Sequence, residues 1–395
     1  MKQKLLKSLL AIAVLCAGSG SVWAGAPVSG SDYLIKNVQT GYYLVGGMDW
    51  GTHACLHKMP QWFTLTGGDG SYTLDSHQFN NNANAHFLAT GLYVDGTSTN
   101  WTIAETATVG VFTISNDGNY LAGNGVDAVI TTTTDGTAES AKWQLISYDD
   151  FVASLGGEIG VSGVDATPYI KDPELKRNGN FTTWSGAKPW TITGFNGSGT
   201  PSNFKQGDDG NNASCAESFQ SSNGFKVVQT LTGLKPGKYQ LTAQAFYRQD
   251  GEDTDNYPYL FVGDAKSYFP VRTGTENSMV AAYSSFLNGT YPVDPISFIV
   301  SSESDNVTIG YANANVKMWN IFGQTQLTYF GTCLASDAVA FTNGGTMVSG
   351  QWYYFDATVA GTYEFTAGSD ISEIIYTTDV SKIGRAVQQE CRDRY

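Results

Sequence analysis

The chain has 395 residues, and at roughly 100 to 200 residues per domain a single small module is excluded. Only 15% of the residues are charged, while 45 are glycine and 13% are aromatic; this describes a turn-rich globular chain with packed cores, neither helical nor disordered. The 22 basic residues against 36 acidic ones leave a net charge of -14, which excludes phosphate-backbone binding, so no nucleic acid is expected as a partner.

At the N-terminus, Lys2, Lys4 and Lys7 precede the apolar run from Leu9 to Ala17, which leads to Val22-Trp23-Ala24. Residues 1–24 therefore read as a secretory signal cleaved after Ala24. The mature protein is expected to be secreted, or held at the outer cell surface or in the periplasm. The run falls well short of the roughly 20 apolar residues that a bilayer span requires, and no membrane span is expected. Cys16 would suit a lipid anchor, but Leu15 before it is bulkier than the lipoprotein peptidase favours.

Residues 25–148 carry a threefold repeat. Tyr33-Leu34-Ile35, Tyr72-Thr73-Leu74 and Phe112-Thr113-Ile114 recur at spacings of 39 and 40. Each is followed by an aromatic-Leu pair (Tyr43-Leu44, Phe87-Leu88, Tyr120-Leu121) and then by a tryptophan strand opening at Trp62, Trp101 or Trp143. Short-strand units of this size cannot bury an apolar face alone and must pack around a shared axis. The pattern resembles the ricin-type β-trefoil, whose lectin-like repeats carry a Gln-any-Trp signature. Here Pro60, Thr99 and Ala141 precede Gln61, Asn100 and Lys142, so the Gln two before the Trp is missing. The resemblance implies the fold more than any sugar site. Recurrence at matched offsets assigns Trp62, Trp101 and Trp143 to the core.

Trp50 stands outside that symmetry. With Asp49 and His53 beside it, Trp50 is a candidate aromatic platform for a sugar ring, and Tyr93 is its weaker counterpart. A structural role for Trp50 stays open. His53, Cys55 and His57 alternate along a predicted strand and invite a zinc reading, yet no fourth ligand lies close in sequence, and core thiols fit the scattered Cys55, Cys215 and Cys333 better than a disulfide framework. No nucleophile elbow and no phosphate-cradling loop occur.

Residues 149–166, broken by Gly156 and Gly157, read as a linker. Over 167–331, strand-like runs alternate with Gly/Asn/Asp clusters. In the clearest run, Gly237 to Arg248, the period-2 face is Tyr239, Leu241, Ala243, Ala245 and Tyr247. The passage from Val228 through Leu234, Pro236-Gly237 and Tyr239 to Leu241, with a closing strand Met318 to Leu327, resembles the galactose-binding-like jelly roll of many carbohydrate-binding modules. That resemblance implies ligands on the loops at one end or across a concave face. Trp184 and Trp190 flank a Ser-Gly-Ala-Lys-Pro turn, Tyr257 follows an acidic loop, and Trp319 opens the closing strand. Arg248, Asp250 and Asn256 are the polar groups nearest to them in sequence that would reach sugar hydroxyls. The acidic loop 250–256 and Asp208-Asp209-Gly210-Asn211-Asn212 offer oxygen ligands for a structural calcium ion.

Residues 332–381 carry a third β segment, too short for a complete sandwich. Residues 382–395 break with the preceding composition, and the reverse translation of 383–394 resembles a sequencing-adapter oligonucleotide, so this tail is expected to be non-native.

The fold class expected is all-β: an N-terminal β-trefoil, a β-sandwich of jelly-roll type and a truncated third β segment. The whole resembles the multidomain exported proteins of glycan-degrading Gram-negative bacteria. That implies an exported, non-catalytic carbohydrate-binding protein that targets polysaccharide or glycoprotein glycans, with no cofactor beyond a structural calcium ion. Two readings stay open beside it. One is a fragment of a secreted glycoside hydrolase or other hydrolase, although no spacing marks carboxylates such as Glu217 and Asp250 as a pair. The other is a protein-binding surface adhesin.

Overall fold

The computed structural model describes residues 26–48, 52–79, 82–156, 163–175, 183–184, 188–208, 213–250, 256–331, 338–340, 344–347, 352–354 and 366–367. Residues 1–24 (read above as a signal), Trp50, most of the loops 208–212 and 250–256 read as calcium ligands, and the tail 382–395 lie outside the described residues. The chain is all-β, with two short α-helices in its described part, Tyr148–Ser154 and Met279–Leu287. Neither is long and apolar enough to cross a membrane.

The repeat closes a barrel. Within the repeats Tyr33 pairs with Phe63, Tyr72 with Trp101 and Phe112 with Trp143. Between repeats Leu65 pairs with Leu74, Ile103 with Ile114 and Leu145 with Ile35. These six matched contacts join the strands Ser31–Asn37, Trp62–Gly68, Ser71–Asp75, Trp101–Glu105, Val111–Asn116 and Trp143–Ser147 into a ring whose inward side chains are all buried. Closure leaves no open sheet edge, which is how short strands of this kind become stable together.

The register departs from the sequence reading at one tryptophan. Trp101 and Trp143 point into the barrel and donate their indole N–H to Leu88 O (2.8 Å) and Leu121 O (3.1 Å), within their own repeats. In the first repeat the equivalent inward residue is Phe63, one place later, and alternation turns Trp62 to the outer surface. Its assignment to the barrel core is therefore corrected. Trp62 packs against Tyr148 and Phe151 and donates its N–H to Pro168 O of the second domain (2.8 Å).

The second domain is a sandwich. One sheet runs Phe204–Asp208, Ala213–Phe219, Met318–Tyr329, Gly237–Gln249, Ile296–Val300; the other runs Thr191–Thr193, Phe225–Leu231, Val307–Asn313, Tyr259–Val262, Ala265–Tyr268. The face of Gly237–Gln249 expected to be buried, Tyr239 through Tyr247, lies in the core with Val227, Leu260, Ile309 and Phe322. Near its end that strand is buried on both sides, because the Met279–Leu287 helix covers Phe246, Trp319 and Ile321 from outside. Ser278 caps the helix through Ala281 N–H (3.2 Å), and Met279, Ala282, Tyr283 and Phe286 form its buried stripe.

The segment read as a linker begins with a helix, capped reciprocally by Ser147 and Asp150. It sends Phe151 and Leu155 into the core of the sandwich, where Phe151 meets Tyr169 edge to face at 4.9 Å. Farther on, Val164–Asp165 adds to the Met318–Tyr329 strand. The described parts of the third β segment are two short parallel pairs, Ala338–Ala340 with Trp352–Tyr354 and Thr346–Met347 with Thr366–Ala367.

The two domains also share a buried polar cluster. His57 Nε2 lies 3.1 Å from Glu174 Oε1, 3.2 Å from Asp127 Oδ1 and 3.1 Å from the Tyr283 hydroxyl, which itself donates to Asp127 (3.2 Å). Met59 N–H donates to His57 Nδ1 (3.0 Å), so the ring proton sits on Nε2, facing the two carboxylates. Burial, reinforced by Glu174 and Asp127, drives the Tyr283 hydroxyl far above the ordinary phenol range, and it stays a neutral donor.

Candidate functional site

The trefoil presents a ledge built from His53, Tyr93 and Asp95. The Thr52–Ala54 backbone pairs with the stretch around Tyr93 through Ala54 N–H to Leu92 O and Val94 N–H to Thr52 O, both 2.8 Å. Alternation buries Val94 completely and leaves Tyr93 outward, 36% exposed. A tight turn re-enters at Leu92, whose positive φ of 64° is a strained conformation for a leucine. The His53 ring stacks on Tyr93 at 4.4 Å and 18°, so the tyrosine is held before any ligand arrives. Beside them Asp95 is half-buried, and burial raises its pKa while a hydrogen bond from Thr52 opposes the rise. A fixed ring beside a half-buried carboxyl group suits a pyranose: its C–H face meets the ring and its hydroxyls hydrogen-bond to the carboxyl oxygens.

The sandwich candidates fare differently. Trp190, 3% exposed, donates its N–H to Asp172 O (2.9 Å) and lies 6.1 Å from Tyr311 in the core. Trp319, also 3% exposed, donates to Glu217 Oε1 (2.7 Å), meets Phe246 edge to face and carries the Arg248 guanidinium over its ring at 4.6 Å. Neither can serve as a sugar platform, and both assignments are corrected: the sheet interior takes Trp190 and the outer helix closes over Trp319.

Arg248 and Asp250, both read as groups for sugar hydroxyls, bond to each other. Nε meets Oδ1 at 2.6 Å and the second nitrogen meets Oδ2 at 2.8 Å, and this bidentate bond raises the arginine pKa further. Tyr257 is half-buried against Tyr247 at 5.6 Å, and Asn256 is exposed. Trp184 pairs by its backbone with Gln78 of the trefoil; its side chain, like Trp50, lies outside the described residues.

The zinc reading finds His53 and His57 in unlike surroundings, one stacked on Tyr93 and the other facing Asp127 and Glu174. A histidine ligand ordinarily donates its other ring N–H, whereas His57 Nδ1 accepts from Met59. Among the described residues no group of three His, Cys, Asp or Glu side chains is placed to hold a metal.

Sequence reasoning missed the partner of Tyr93. His53 was weighed beside Trp50 and as a metal ligand, not as a stacked ring, although pairing two β stretches across a short turn places such residues opposite each other.

No family model matches the sequence, and no curated protein matches it. Among solved structures, the chain is similar to a salivary protein from Culex quiquefasciatus of the cysteine and tryptophan-rich family (20% identity, 31% of this chain and 96% of that one, TM-score 0.25). It is similar to the Macrolepiota procera ricin B-like lectin in complex with lactose (17%, 31% and 98%, TM-score 0.24). A third is TmCBM61 in complex with beta-1,4-galactotriose (15%, 41% and 97%, TM-score 0.26).

Proposed function

We propose that the protein is an exported, non-catalytic carbohydrate-binding protein, and that the trefoil ledge of Tyr93, His53 and Asp95 receives one sugar ring. The observation that carries this reading is the exposed, pre-stacked Tyr93–His53 pair beside a carboxylate whose ionisation burial disfavours. Burial disfavours the charge of this carboxylate more than its hydrogen bonds from Thr52 and the backbone favour it, a balance that perturbed groups at binding sites show. The non-catalytic part is supported by the use made of the carboxylates first considered for hydrolysis: Glu217 is committed to the Trp319 indole and Asp250 to Arg248.

The test is affinity electrophoresis of the purified chain through gels containing uncharged plant, host and microbial polysaccharides. Retardation by at least one glycan is expected, abolished by Tyr93→Ala and reduced by Asp95→Asn. Retardation that survives both Tyr93→Ala and His53→Ala would remove the ledge from the binding site.

A further inference from the structure

The outward face of the Thr191–Thr193, Phe225–Leu231, Val307–Asn313, Tyr259–Val262, Ala265–Tyr268 sheet is used by nothing described so far. Pairing register fixes what it presents. One row across the five strands reads Tyr268, Tyr259, Ala312, Lys226, Thr193; the next reads Lys266, Phe261, Gly310, Val228, Thr191. At about 4.8 Å per strand each row is about 19 Å long, the length of several linked pyranoses.

The relief of this face follows from the residues. Tyr268 is 59% exposed at the edge, 6.0 Å from Tyr259, which lies 6.2 Å from Phe261. Phe261 lies across Gly310, where a Cβ would come within 2.7 Å of the ring, so only glycine allows the aromatic to lie down there. Ala312 continues the low floor, with Lys226 and Val228 rising on the far side. Phe261 (6% exposed) and Ala312 (1% exposed) are covered, so what the face offers to solvent is mainly Tyr268, part of Tyr259 and the two lysines.

Its charge is the telling feature. In a chain with net charge -14, the outward positions of these five strands carry two lysines and no carboxylate. Lys266 Nζ sits 4.5 Å above the Tyr259 ring and Lys226 Nζ 5.8 Å above Phe261. Neither lysine has an ion-pair partner among the described residues. Cation–π contact of this kind holds an ammonium in place while leaving its charge unneutralised.

We infer that this face is a second binding surface, selective for an anionic glycan: a polysaccharide of modest charge density, such as one with uronic acid residues, whose carboxylates meet Lys226 and Lys266 while a sugar face lies on Tyr268. Two ammoniums match one or two anionic groups. The acidic remainder of the protein repels a dense polyanion such as nucleic acid. The inference extends the carbohydrate-binding reading to the other domain, but it does not depend on the Tyr93 ledge.

The experiment compares polygalacturonate with its fully methyl-esterified form, the same backbone without the charge, using the whole chain in affinity gels and titration calorimetry. Polygalacturonate should be bound and the ester bound at least about tenfold more weakly, with binding falling as salt rises to screen the pairs. Lys226→Glu with Lys266→Glu should abolish it, and Tyr268→Ala should weaken it about tenfold. Tyr93→Ala should leave it unchanged, which separates failure of this face from failure of the ledge. A sulfated glycan bound more tightly than polygalacturonate would keep the surface and change the anion. Equal binding of acid and ester, no binding of any anionic glycan, wild-type binding by the double lysine variant, or preference for anionic vesicles or single-stranded DNA would each overturn the inference.

Discussion

Trp143 and Trp62 occupy matching places in the third and first repeats, yet one is a barrel residue and the other a domain anchor. Trp143 is fully buried and bonds Leu121 within its own repeat. Trp62 is displaced by one residue, so Phe63 fills the barrel and Trp62 faces Phe151 and Pro168. The difference shows how an internally symmetric fold acquires a partner: a single aromatic extra to the symmetric set is enough to turn one face of a closed barrel into an interface. Leu34 and Ile146, paired beside Trp62 on that outer face, complete it.

The comparison is open to direct test. Trp143→Ala should have the largest effect, a loss of about 3–5 kcal/mol in urea unfolding, since it empties a closed barrel. Trp62→Ala should cost less, about 1–3 kcal/mol, because the side chain is half-buried, and it should separate one unfolding transition into two in calorimetry. Unchanged cooperativity would show that Trp62 does not couple the domains. Tyr283→Phe, which removes one hydroxyl from the cluster around His57, should cost about 1 kcal/mol in the same urea series.

The smallest effect concerns Asp95. Its folded-state pKa lies above the ordinary carboxylate value, so ionisation opposes folding. The penalty is absent below the unfolded pKa, grows as pH rises toward the folded one and is complete above it. Asp95→Asn should therefore raise the thermal midpoint slightly at pH 7 and leave it unchanged near pH 3, while weakening glycan retardation. A midpoint lowered at pH 7 would show that the charge supports the fold.

How much of this was legible in the sequence depends on the element. The barrel was, because Tyr33, Tyr72 and Phe112 recur with their partners at nearly constant spacing. The slip at Trp62-Phe63 was not, since two adjacent aromatics satisfy the same pattern and only the strand pairing decides which turns inward. The buried face of Gly237–Gln249, Tyr239 through Tyr247, was readable from its alternation. On the opposite face Phe246 and Trp319 look surface-facing in a two-layer sandwich, and only the third layer, the Met279–Leu287 helix, buries them. That helix was marked in the sequence by Ser278 and apolar residues at 279, 282, 283 and 286. The site was less legible: of the aromatics singled out, Tyr93 is exposed on the ledge, while Trp190 and Trp319 were chosen for irregular or terminal positions that the fold turned inward.

The helix Tyr148–Ser154 bears on how such a protein can be cut or recombined. Phe151 and Leu155 belong to the interior of the sandwich although the chain lays them down directly after the last barrel strand. A gene fragment that starts at Thr167 would encode a sandwich with two of its innermost side chains missing, whereas one starting at Ser147 keeps them together with the helix cap. The seam at which this protein could be shuffled as a cassette therefore runs immediately behind the barrel, and expressing the two fragments side by side should give soluble protein from the longer one only.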